Sequence, residues 1–101
     1  MRKTVFMYMG TGIAEPENSS GFVPHQKHPL LVFLADYSND YNWKRAEEVA
    51  MENGWRSVDF TKVGKITPDM IAQQDPTMRE RYADAVASGS AFIAYAAVEE
   101  D

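Results

Sequence analysis

The chain has 101 residues, 45% of them hydrophobic and 12% aromatic, with 10 basic against 15 acidic side chains for a net charge of -5. That length and apolar content suit one globular α/β domain spanning 1–101, with a modest core and a stability on the order of 5–10 kcal/mol. The acidic balance disfavours nucleic-acid partners, which need clustered Lys and Arg to displace counterions from phosphate. The lack of cysteine excludes disulfides, thiolate metal sites and cysteine nucleophiles.

No stretch approaches the roughly 18 apolar residues of a membrane helix, and the segment after Met1-Arg2-Lys3 is too short and polar for a signal peptide. The expectation is a cytoplasmic protein with no membrane partner. Residues 4–9 are β-branched, aromatic and methionine side chains and predict a first strand inside a sheet. The segment 10–29 holds Gly10, Gly12, Pro16, Gly21, Pro24 and Pro29 and predicts a long irregular loop. Gly10-Thr11-Gly12 is read as a turn leaving the sheet. A phosphate loop would need a following Lys-Ser/Thr and a helix at Ile13.

Residues 30–35 are continuously apolar and predict a central strand. The Asp, Ser and Asn groups of 36–42 can cap a helix, and Trp43, Ala46, Val49 and Ala50 recur at helical spacing, predicting a helix over 40–53. Asn53-Gly54 ends it, because glycine reaches positive φ without a Cβ clash. A strand with one wet face follows over 55–63, carrying Val58 and Phe60. Thr67-Pro68 and Asp75-Pro76 each pair an N-cap with a proline at the first helical position. They predict a short turn through Gln73 and then a main helix whose stripe is Met78, Tyr82, Ala85, Val86 and Gly89. Residues 91–98 are apolar at both parities and predict another internal strand, and the acidic tail 99–101 is a solvated end.

The predicted fold is thus an α+β (or α/β) two-layer sandwich of about four strands and two main helices, ordered β-loop-β-α-β-α-β. Two helices on one side leave the second face of such a sheet bare. Either they sit on opposite sides, or the loop or another chain covers that face. In outline the layout resembles ferredoxin-like α+β sandwiches, which carry a helix where this chain has its 10–29 loop; no family is assigned on that basis.

Residues Asp36, Ser38, Asp40, Asn42 and Glu47 place oxygens at the offsets of a calcium loop, but Tyr41 stands where that loop needs glycine, so helix capping is preferred and no metal is expected. His25 and His28 are read as exposed loop histidines, and no serine, carboxylate or dinucleotide motif forms a catalytic or cofactor-binding set; no cofactor is expected. The preferred function is a non-enzymatic interaction module that self-associates, most simply as a homodimer, through a sheet face or edge using Phe6, Tyr8, Phe33, Phe92, Ile93 and Tyr95. The alternative is a small-molecule-binding domain or small enzyme with a pocket between the sheet and the 10–29 loop, lined by Tyr8, His25, His28, Asp36 and Tyr95.

Overall fold

The structure, a computed structural model, describes residues 3–38 and 40–97; Val98, the expected end of the last strand, and the acidic tail 99–101 lie outside them. In chain order these residues form β1 (Thr4–Ala14), β2 (Lys27–Asp36), α1 (Trp43–Glu52), β3 (Trp55–Ile66), α2 (Pro68–Ala72), α3 (Pro76–Ser88) and β4 (Ser90–Ala94). The strands make one antiparallel sheet in the order β3-β1-β2-β4. The α+β class and the predicted element order are both present, with the 67–73 turn realised as α2. No helix among the described residues is long and apolar enough to cross a membrane.

Helix boundaries follow from local chemistry. The Asn42 side chain accepts from the Arg45 N–H and caps α1 at 3.0 Å. Thr67 and Asp75 do the same for the N–H groups of Met70 and Met78, each ahead of its proline. Gly54 and Gly89 take φ of 90° and 103° just past α1 and α3, where a side chain would be strained.

The helices divide between the two faces of the sheet. Even-numbered residues of β1 and β2 (Phe6, Tyr8, Leu30, Val32, Leu34) pack with Ala46, Val49 and Ala50 of α1. Odd-numbered ones (Val5, Leu31, Phe33, Ala35) pack with Ile71 of α2 and Ala85 of α3. There are three layers rather than two, because strands apolar at both parities lose least when each face gets its own helical cover.

Three strands exceed their predicted length: β3 runs on to Ile66, and β1 and β2 extend into the segment expected as loop. Gly10 and Gly12 lie within β1 instead of leaving the sheet. A Cβ at Gly10 would collide with the Asp59 carbonyl oxygen and the Phe60 Cα, and one at Gly12 would stand 2.6 Å from Leu30 Cδ1. The glycines therefore serve close approach of neighbours, a use that composition does not distinguish from a turn. The irregular connection shrinks to 15–26, and β2 starts early enough to take in His28 and Pro29. What is left of the loop is internally tied. The Asn18 amide donates to the carbonyls of Glu15 and Phe22 and its oxygen accepts from the Phe22 N–H, while the Ser19 N–H donates to Asn53 O.

β3 pairs with β1 through two irregularities. The register steps from Met9↔Lys62 to Gly10↔Phe60, leaving Thr61 extra, and again between Thr11↔Asp59 and Ile13↔Arg56, where Ser57 has φ of 49°. Each bulge flips the strand's parity, so Trp55, Val58, Phe60 and Val63 all face α1 at spacings of three, two and three.

Candidate functional site

The structure separates the residues that the sequence grouped into a pocket. Tyr8 and Asp36 line a space of about 260 Å³ at the α1 N-terminal end of the sheet, together with Asp40, Asn42 and Arg45. Tyr8 is 0% exposed, and its hydroxyl accepts from the Asn42 N–H at 2.6 Å. Burial pushes its phenol above the ordinary range, partly offset by that N–H, and its ring packs edge-on against Trp43 and Phe60 at 5.3 and 6.2 Å. Tyr8 thereby locks the start of α1 to the sheet.

His28 and Tyr95 sit toward the opposite end. His28 is a strand residue only 3% exposed, not a loop histidine, because β2 begins at Lys27 and position 28 points to the α1 face. Its Nδ1–H donates to the Tyr95 carbonyl at 2.9 Å, since a carbonyl only accepts. Its ring stacks on Phe22 at 4.6 Å and meets Trp55 edge-on at 5.6 Å, with Phe92 beyond. The loop closes this end of the core with Phe22. His25 is exposed at positive φ and accepts from Arg56 Nη2 at 3.2 Å.

The oxygens of the calcium-like pattern have local work. Asp36 accepts from the Tyr37 N–H, Ser38 from the Asp40 N–H, and Asn42 caps α1, while Glu47 is exposed on the helix. Among the described residues no three His, Cys, Asp or Glu side chains gather into a metal-holding group.

Of the residues proposed for an interface, Phe6, Tyr8 and Phe33 are core, buried by the protein's own helices. Phe92 and Ile93 lie on β4, half-buried, and Tyr95 follows it at 41% exposure. β4 is an edge strand, not the internal one that its two-sided apolar pattern predicts. Helices α1 and α3 cover its two faces, which is why an edge position tolerates apolar residues at both parities.

The two edges of the sheet differ in kind. β3 carries both bulges and exposes Arg56, Asp59, Lys62 and Lys65, features that discourage further pairing. β4 reads Ser90-Ala91-Phe92-Ile93-Ala94, without a charge, a proline or a bulge. Its polarity of hydrogen bonding is fixed by two bonds at its ends. The Ala35 N–H donates to Gly89 O at 2.9 Å and the Tyr95 N–H to Pro29 O at 3.0 Å. Odd residues therefore address β2, and the N–H and C=O groups of Ser90, Phe92 and Ala94 point away from the sheet. The Ser90 carbonyl also accepts from Ser88 Oγ at 3.2 Å, leaving it one lone pair for another donor.

Comparison of the chain with protein families, with curated proteins and with solved structures finds no match.

Proposed function

We propose that this protein is a non-enzymatic interaction module that pairs through the β4 edge with a second copy of itself. The observation that carries the proposal is the contrast between a guarded β3 edge and an uncharged, unbulged β4 edge. An antiparallel pairing of two β4 strands about a two-fold axis at Phe92 sets Phe92 opposite its copy and Ser90 opposite Ala94 of the copy. Each such pair exchanges two hydrogen bonds, giving about six.

The self-match is favourable because no charge meets a like charge across the axis and the two Phe92 rings become direct cross-strand neighbours. Six bonds at about 1 kcal/mol each plus one aromatic pair at about 1 kcal/mol give about 7 kcal/mol, and the cost of association, at least about 4 kcal/mol, leaves a weak dimer in the millimolar range. Sedimentation velocity across concentrations bracketing that range is expected to show a monomer–dimer equilibrium.

Ala94→Pro deletes an outward N–H without touching the ladder to β2, and Ala94→Lys sets a charge at the join; both become monomeric while keeping the wild-type circular dichroism spectrum. A chain that stays monomeric throughout, or a dimer indifferent to both substitutions, disproves the proposal.

A further inference from the structure

We propose that the space between the sheet and the α2–α3 pair binds a neutral, largely apolar small molecule of about two fused rings. The starting observation is in β1. This strand lies in the sheet interior, yet Met7 and Met9 on its α3-side face are only half-buried, whereas Phe6 and Tyr8 on the other face are buried. The helical cover on that side is incomplete. α2 has five residues, and Pro76 at the start of α3 keeps the two as separate helices.

The gap this leaves has a volume of about 320 Å³ and is lined by Met7, Met9, Leu31, Ile66, Met70, Ile71, Gln74, Met78 and Tyr95. Four of the chain's six methionines line it. An ordinary explanation is that methionine fills irregular gaps in a core. Here the gap persists with the methionines in place, and Met70 at its mouth is 48% exposed. Unbranched, polarisable thioether chains can instead mould around an apolar guest.

Size and chemistry select the guest. The space is about twice the roughly 150 Å³ of a cavity that takes benzene. No charged residue lines it, so a neutral molecule fits best. Polar contact is offered at the rim by the Gln74 carboxamide and by the Tyr95 hydroxyl, which donates to the weak acceptor Met78 Sδ at 3.6 Å. This is the pattern of a small-molecule site, an apolar lining with a few polar groups that set orientation.

The test uses N-phenyl-1-naphthylamine, a neutral fluorophore with one fused ring pair, and protein carrying ¹³C-methyl methionine. Saturable fluorescence at one probe per chain is expected, with shifts in the methyl signals of Met7, Met9, Met70 and Met78 and none at Met51, which lies on α1. Met70→Trp fills the mouth from a half-exposed position and weakens binding by about tenfold or more, whereas Met51→Trp leaves it unchanged. Absence of saturable binding, shifts that include Met51, or full affinity in Met70→Trp overturns the proposal. So does a set of methyls that responds to silver(I) but not to the naphthylamine, which would mark a soft-metal site instead. The methyl map needs no variant to fold.

Discussion

Removing a single oxygen in Tyr8→Phe tests how the sheet holds α1. The ring contacts to Trp43 and Phe60 survive in phenylalanine, so only the hydroxyl that accepts from the Asn42 N–H is lost. An N–H deprived of its partner at a helix start costs about 1–2 kcal/mol. At about 2.1 cal/mol/K per residue, 101 residues unfold with an entropy of about 0.2 kcal/mol/K, so Tm drops by about 5–10 °C. The same variant carries a pH signature. Burial raises the Tyr8 phenol in the folded state above its unfolded value of about 10, so its stabilisation is complete below about pH 10 and is lost as pH rises through the folded value. The wild type therefore loses up to about 1.4 kcal/mol per pH unit that Tyr8→Phe does not lose, and the gap between them narrows in alkali. Urea unfolding of both proteins on either side of pH 10 measures it. A gap that stays constant with pH, or a Tm within about 1 °C of wild type, refutes this account of Tyr8.

Two glycines on neighbouring strands should respond in opposite senses. Gly10→Ala drives a methyl into the β3 backbone at Asp59 and Phe60, which side-chain motion cannot relieve, and costs more than about 3 kcal/mol by urea unfolding. Gly64→Ala meets nothing within 4 Å at a φ open to any residue, and stabilises by about 0.5–1 kcal/mol in the same assay. Asp75→Ala removes the α3 cap and costs about 1 kcal/mol. Because burial first and the Asp75 carboxylate second hold the Tyr95 phenol above its ordinary value, this variant also shifts Tyr95 ionisation to lower pH in an ultraviolet titration.

The candidate sites were legible only in fragments. Phe92, Ile93 and Tyr95 carry an apolar signal and lie on or beside the β4 edge. Phe6, Tyr8 and Phe33 carry the same signal and are core, because hydropathy records that a residue needs cover and is silent on who supplies it. His28 looked like its neighbour His25 and ended in the opposite environment, since two residues of chain separate an exposed turn from a paired strand. The methionine-lined space had a trace in Met7-Tyr8-Met9, where alternate residues of a strand must share a face. Nothing along the chain ties that pair to Met70 and Met78, which reach it only through the packing of α2 and α3.

What the sequence by itself determined was the local punctuation: the caps at Thr67 and Asp75 with the prolines behind them, a capping segment within 36–42, the left-handed glycine at 54, and hence the order of strands and helices. These depend on atoms within a turn or so of one another. Tertiary structure alone decided which helix covers which face, that β4 is an edge, that Gly10 and Gly12 lie inside a strand, and that two bulges bring Trp55, Val58, Phe60 and Val63 onto one side. Each of those depends on the backbone of a distant strand lying alongside, as Asp59 and Phe60 do against Gly10, and that contact has no counterpart in the residues adjacent along the chain.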